Sequence, residues 1–220
     1  MISQTEENYL KALYSLIDKK GVATVNDISK MLEIKMPTVT GMVKKLAEKG
    51  LVEYTSYKPL GLTVIGQKKA ALIVRKHRLT EMFLVEKMGF GWEEVHQIAE
   101  QVEHIQSSIL FDRMDEILNY PQSDPHGSPI PNIDGTVKEQ KYIALKNCKE
   151  NDQVILSAVN PSSEALLNFL NSKELELGTL ISVLHKESFD QSMTISYLHR
   201  KSEVLSSVVS SKLLVTHKTD

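Results

Sequence analysis

Met36-Pro37-Thr38-Val39-Thr40-Gly41-Met42-Val43-Lys44-Lys45-Leu46 is the stretch on which the fold turns. Pro37 suits the first turn of a helix, where a missing N–H costs nothing. Val39, Met42, Val43 and Leu46 then recur at helical spacing and make one apolar stripe. Away from that stripe stand Thr38, Thr40, Gly41, Lys44 and Lys45. They are the small, hydroxylated and basic side chains that a helix needs in order to enter the DNA major groove. Any solvated helix can present such a face, so its neighbours decide.

Upstream, Ser3-x-x-Glu6 has the spacing of a capping box. Leu10, Leu13, Tyr14 and Ile17 follow as the apolar side of a first helix that ends before Gly21. Thr24 caps a second helix bearing Val25, Ile28 and Leu32, and Glu33 to Lys35 breaks it from the third. Downstream, Leu51-Val52-Glu53-Tyr54 and Gly61-Leu62-Thr63 read as a strand pair around a loop with Tyr57, Lys58 and Pro59. Three helices and a β-hairpin make a winged helix-turn-helix over residues 1–63. Its expected DNA contacts are Lys35, Pro37, Thr38, Thr40, Gly41, Lys44, Lys45 and Lys58, with base edges read by the third helix and phosphates held by lysines. Between Val25 and Lys58 six Lys face Asp27, Glu33, Glu48 and Glu53, a local basic excess in a chain of formal net charge −2.

The 220 residues, 41% hydrophobic and 25% charged, describe a globular chain able to bury a core. The polar, acidic start does not read as a signal peptide, and no apolar run approaches the ~18 residues of a membrane span. The expectation is a cytoplasmic protein without membrane association. Cys148 is the single cysteine, which excludes an internal disulfide, and it reads as a packed residue.

Val64 to Met88 and Trp92 to Leu118 read as two long helices, separated by a turn at Gly89 and Gly91. Their apolar surface exceeds what a DNA-binding head needs, so residues 64–120 are expected to form a helical dimerisation domain. In the second of these helices His96, Glu100, Glu103 and His104 lie at offsets of zero, four, seven and eight. At about 100° per residue they project to roughly 0°, 40°, −20° and 80°, one side of a helix. A charged helix face is ordinarily just solvated, but His77 and Glu81 form a second pair, one turn apart, on the preceding helix. Carboxylate oxygens and imidazole nitrogens suit Mn²⁺, Fe²⁺, Zn²⁺ or Co²⁺.

Residues 121–135 hold four of the seven prolines and read as a linker, with Asp124 and His126 inside it. Beyond it, Val154 to Leu156, Leu180 to Leu184, Met193 to Tyr197 and Lys212 to Val215 are short β-type runs, with a helical stretch at Ser162 to Leu170. Residues 136–220 are thus a small, mostly β domain, and the fold class is α+β.

Several motifs together resemble the diphtheria toxin repressor family of metal-dependent transcriptional regulators. They are Met36-Pro37-Thr38-Val39-Thr40, Arg75-Lys76-His77-Arg78-Leu79-x-Glu81, Trp92-Glu93-Glu94-Val95-His96, Glu103-His104 and Pro125-His126-Gly127-Ser128-Pro129-Ile130-Pro131. The resemblance spans essentially the whole chain and implies a Src-homology-like β-barrel for the last domain. It implies a primary metal site of Glu100, Glu103 and His104 with Asn8 from the first helix, and an ancillary site of His77, Glu81 and His96. Asp124 and His126 match linker ligands of the long manganese members, and Glu164 is a candidate from the β domain. Where the iron-responsive branch has cysteine, this chain has Glu100, a harder ligand that favours Mn²⁺. Lys11 stands where short manganese members place a second Glu, which argues against a closely spaced two-metal cluster.

The function so implied is an Mn²⁺-activated repressor that binds double-stranded operator DNA as a homodimer and controls metal-uptake genes. An iron-responsive repressor of the same family is the alternative, with Zn²⁺ or Co²⁺ as substitutes in vitro. A winged-helix regulator without metal is a further alternative. A metalloenzyme with a small-molecule substrate is disfavoured, because the sequence offers no HExxH and the cluster from His96 to His104 lacks the Glu-x-x-His pair of di-iron bundles.

Overall fold

The computed structural model describes residues 2–138, 140–160 and 162–218. Contacts divide the chain into two compact units that do not follow chain order. One comprises Met1–Thr80, Ala99–Glu116 and Ile130–Lys138; the other comprises Glu81–Ile98, Ile117–Pro129 and Glu139–Asp220.

The first unit begins with α1 (Gln4–Lys20), α2 (Val25–Leu32), α3 (Met36–Glu48) and the antiparallel pair β1 (Val52–Glu53) and β2 (Gly61–Leu62). Local chemistry sets the helix ends. Ser3 and Glu6 close a capping box on α1, Thr24 and Asp27 close another on α2, and Gly21 ends α1 in the left-handed conformation. Tyr9, Leu10 and Leu13 of α1 pack with Ile28 of α2 and Val39, Val43 and Leu46 of α3 in one core. The hairpin is tied back to the α1–α2 connection, where Leu60 N–H donates to Ala23 O at 2.8 Å. α4 (Val64–Met88) starts against β1 so closely that a Cβ on Gly66 would lie 1.8 Å from Leu51 O. The expected winged helix-turn-helix is therefore present.

The expected helix from Trp92 to Leu118 is instead two, α5 (His96–Val102) and α6 (Ser108–Ile117), with turns before and between them. The reason lies in Glu103 and His104. Consecutive residues of a continuous helix point about 100° apart. Here Glu103 reaches Lys11 and His104 reaches Glu7, two residues on one face of α1, and the turn lets both aim the same way. Arg75 of α4 donates to Asp115 of α6 at 2.5 Å and to Pro131 O at 2.7 Å, holding α6 and residues 130–138 within this unit.

In the second unit, β3 (Ile143–Ala144), β4 (Gln153–Val159), β5 (Leu180–Lys186), β6 (Met193–Tyr197), β7 (Arg200–Leu205) and β8 (Leu213–His217) form one antiparallel sheet. Its strand order is β3-β8-β4-β5-β6-β7. Register shifts in the β4–β8, β5–β6 and β6–β7 ladders act as bulges that bend the strands. Leu156, Ile181, Val183, Ile195 and Val215 build its core with Leu166, Leu167 and Leu170 of α7 (Glu164–Ser172). α8 (Ser207–Ser210) is a single turn. β7 escaped the sequence reading because Arg200-Lys201-Ser202-Glu203 has no apolar alternation on this edge strand.

Glu6 does more than cap α1. Its carboxylate, 1% exposed, takes Lys49 Nζ at 2.7 Å and Lys45 Nζ at 3.2 Å, both from the end of α3 or just past it. The Lys49 bond and the Ser3 amide hold its pKa down at about 2 against a reference of 4.5. A depressed carboxylate stabilises the fold above its unfolded pKa and loses that contribution as pH falls from about 4.5 to about 2. Glu6→Gln is expected to cost about 1–2 kcal/mol at neutral pH. Thermal melts should also show a flatter loss of stability through that acid window than the unsubstituted chain.

Candidate metal centres and nucleic-acid interface

Within the first unit α1, α4 and the α5–α6 turn bring five charged or titratable side chains together. His104 Nδ1 lies 2.6 Å from Glu7 Oε2, and Gln106 donates to Glu7 Oε1 at 2.9 Å. Glu103 is almost fully buried, yet receives Lys11 Nζ at 2.7 Å and His77 Nδ1 at 2.5 Å on the same oxygen, Oε2. Its other oxygen is 3.8 Å from His104 Nε2. Burial works to raise the Glu103 carboxyl, but His77 and Lys11 outweigh it and hold it below the ordinary range. Glu100, more exposed, stands 3.8 Å from Lys11.

Three of the expected ligands, Glu100, Glu103 and His104, thus adjoin one cluster. Asn8, the expected fourth, is exposed, and Glu7 one residue earlier takes the inward position. The sequence carries a signal for this: Glu7 falls three and seven residues before Leu10 and Tyr14, on the apolar stripe of α1. His77, a member of the expected ancillary group, also places its Nδ1 on Glu103. Lys11 places its ammonium beside Glu103 and near Glu100. Three carboxylates against one ammonium leave a surplus that one divalent ion can balance, and the oxygen and nitrogen donors suit a hard or borderline ion.

The second unit holds a further group. Glu81, Asp124 and His126 are all buried, and one donor atom from each lies within 4.8 Å of the others. His126 Nε2 is 2.8 Å from Trp92 O. A carbonyl can only accept, so Nε2 carries the proton and Nδ1 is the atom left facing Glu81 Oε2, at 3.9 Å. A lone pair facing two buried carboxylates is a donor set that a metal ion could use. His96 Nδ1 approaches Glu81 Oε1 at 3.2 Å from the more exposed side. Glu164, at the start of α7, lines an open cavity of about 570 Å³ together with His96 and His126.

The segment 121–129 is therefore no loose connection. Asp124 Oδ1 accepts from the His126 and Ser128 amides, both at 2.9 Å, and Val159 of β4 donates to His126 O at 2.9 Å. Gly127, at φ 84°, passes so close to β4 that a Cβ would sit 2.1 Å from Ser157 O. Cys148 lies apart from both groups in the β core, where burial pushes its thiol up to about 11, as a packed residue requires.

Of the expected DNA contacts, Lys35, Pro37, Thr38, Gly41, Lys44, Lys45 and Lys58 are exposed. Thr40 is half-buried and its hydroxyl donates to Met36 O at 2.9 Å. Lys45 shares Glu6 with Lys49, which turns part of its charge inward.

Residues 1–60 match the family described as iron dependent repressor, N-terminal DNA binding domain. Residues 63–132 match iron dependent repressor, metal binding and dimerisation domain. The chain is 38% identical over 130 residues to the iron-dependent repressor IdeR of Mycobacterium leprae, a match covering 59% of this chain and 56% of that protein. It is 33% identical over 155 residues to the HTH-type transcriptional regulator MntR of Oceanobacillus iheyensis, covering 70% of this chain and 96% of that protein. Among solved structures, a manganese-dependent transcriptional repressor in complex with manganese superposes with a TM-score of 0.88 at 29% identity, over 97% of this chain and 100% of the other.

Gly127→Ala tests whether the Asp124–His126 loop depends on its seat against β4. The substitution is expected to lower the melting temperature, because the added Cβ would strike Ser157 O, and to weaken any divalent-ion binding at the Glu81 group by about tenfold in calorimetric titration.

Proposed function

We propose, from the premise that the chain belongs to the iron-dependent repressor family, that it is a metal-dependent transcriptional repressor acting on double-stranded operator DNA as a homodimer. The observation that carries this reading is the cluster joining Glu7 and Lys11 of α1 to Glu103 and His104 of the α5–α6 turn. α1 packs directly on α3, so whatever fixes α1 fixes the helix that would read DNA.

The primary ligands in this reading are Glu100, Glu103 and His104, with the first-helix donor at Glu7 rather than the exposed Asn8. A bound divalent ion supplies the charge that lets these carboxylates and the imidazole converge without sharing protons. Glu81, Asp124, His126 and His96 would hold a second ion in the other unit, with Glu164 at the cavity mouth. Mn²⁺ is the favoured metal: the donor set is all oxygen and nitrogen, and Glu100 takes the place of the iron branch's cysteine. Fe²⁺ is the alternative, and the controlled genes are those of metal uptake.

Dimerisation would use apolar side chains that α6 and the preceding turn leave exposed, chiefly Ile105 and Ile109. Two recognition helices carried by a dimer meet successive major grooves about 34 Å apart. Heads whose spacing is not fixed would bind only in the fraction that happens to fit, so metal acts by selecting the competent arrangement.

Operator binding by the full chain should tighten about 10–100-fold in Mn²⁺ relative to chelator, and paired Glu103→Ala and His104→Ala substitutions should remove that response. Equal binding in chelator and in Mn²⁺ would end the proposal. Titrations with Mn²⁺, Fe²⁺, Zn²⁺ and Co²⁺ on the unsubstituted chain and on Glu100→Cys address the metal; an unchanged preference in the variant removes the argument for manganese. Ile109→Glu should yield a monomer in sedimentation and lose operator affinity, with the metal content of the first unit retained.

A further inference from the structure

Trp92 is the chain's single tryptophan, and within the second unit it stands between His126 and the β core. It meets His126 in two ways. The Trp92 carbonyl accepts from Nε2 at 2.8 Å, and the indole stacks on the imidazole with ring centres 6.1 Å apart and planes 26° apart. The hydrogen bond decides which nitrogen faces Glu81, and the stack limits how far the imidazole can turn.

Packing alone does not hold the indole. Trp92 borders the cavity of about 570 Å³ that His96 and Glu164 also line, and a second open cavity of about 450 Å³ lined by Met82, Asp124 and Asn171. With open space on its borders, the ring can swing unless a polar group ties it. Asn171, near the end of α7, is that tie: its Oδ1 accepts from Trp92 Nε1 at 2.7 Å, and its Nδ2 donates to Glu93 Oε2 at 3.0 Å. An indole N–H only donates and a carboxylate only accepts, so the amide fits one way round. The turn itself is closed separately, by Gly91 N–H to Glu94 Oε2 at 2.7 Å and Glu94 N–H to Gly91 O at 3.0 Å. Asn171 is exposed, and Leu166, Leu167 and Leu170 give α7 its core contacts. Its amide therefore serves the indole rather than the fold.

We propose that Trp92 is a positioning residue for His126 and that Asn171 sets Trp92, so that α7 tunes how tightly Glu81, Asp124 and His126 hold a divalent cation. The inference rests on the reading of that group as an ion site and adds to it two residues that touch no ion. Nδ1 binds a cation along its lone pair, in the ring plane. A tilted imidazole thus loses affinity while every ligand is still present. As the only indole, Trp92 also reports loading of the group through its emission.

The test titrates Mn²⁺ into the full chain, followed by calorimetry and by tryptophan emission. The step that His126→Ala removes belongs to the Glu81 group, and the parent's emission should change in that step. Asn171→Ala should weaken it about five- to tenfold, while the metal-free melting temperature stays within about 2 °C of the parent. Asn171→Asp sets two carboxylates together and should weaken it as well. Combined with Glu93→Gln, the same substitution reverses the direction of one bond: the glutamine amide donates to the aspartate, which still accepts from the indole. Affinity should then return to within about twofold of the parent.

Parent-like Mn²⁺ affinity of Asn171→Ala overturns the inference and leaves the ion site standing. A loss that Asn171→Asp with Glu93→Gln fails to restore assigns Asn171 to the packing of α7 and overturns it too. If His126→Ala and Asp124→Asn both leave every Mn²⁺ step unchanged, the reading of the Glu81 group as an ion site falls together with the inference.

Discussion

Glu103 is a buried carboxylate whose single oxygen holds an ammonium from α1 and an imidazole from α4. Most of the first unit's arrangement follows from satisfying it. A carboxylate this deep is tolerable only when paired and hydrogen-bonded. Its partners come from two helices far apart in sequence, so Lys11 and His77 must be brought to it together. His104, next in the chain, then reaches Glu7 one turn before Lys11 on α1. The chain gives up helical hydrogen bonding between α5 and α6 to allow both contacts. A polar constraint is thus added to the apolar packing that seats α1 on α2 and α3.

That constraint also explains why α1 matters to a helix it precedes by more than a dozen residues. Leu10 and Leu13 share a core with Val39, Val43 and Leu46, and Glu6 grips Lys45 and Lys49 at the far end of α3. α1 thus has two faces with different duties. Glu6 and the leucines face α3; Glu7 and Lys11 face the acidic and imidazole cluster. The hydrogen bonds of the cluster are short-ranged and directional, and the core transmits them as rigid packing.

Much of this was legible in the sequence. Helical spacing and caps located α1 to α3, and Val52, Glu53, Gly61 and Leu62 were readable as the hairpin because a loop rich in turn residues separates them. The cluster residues from Glu100 to His104 were readable by spacing, although the spacing argument assumed a helix that the structure ends at Val102. Periodicity cannot register such a break, since Ile98, Val102, Ile105 and Ile109 keep helical intervals across it. The resemblance points to Asn8 by alignment, whereas the phase of the α1 stripe turns Glu7 toward His104 and leaves Asn8 exposed. Edge strand β7 was hidden because its exposed, charged side chains carry no alternation. Asp124 and His126 read as turn residues in a proline-rich segment, and only tertiary contact with β4 reveals them as buried.

The seat of Gly127 on Ser157 and Ala158 gives the two groups of ligands different dependencies. Everything around Glu103 is supplied by residues up to 106, so that cluster could persist in a chain ending soon after the helices. Asp124 and His126 are presented only because β4 supports the loop from outside. Loss of the sheet would leave their side chains on an unsupported peptide. The β strands thus act on the Asp124–His126 group as a support, a part they do not play for the cluster around Glu103.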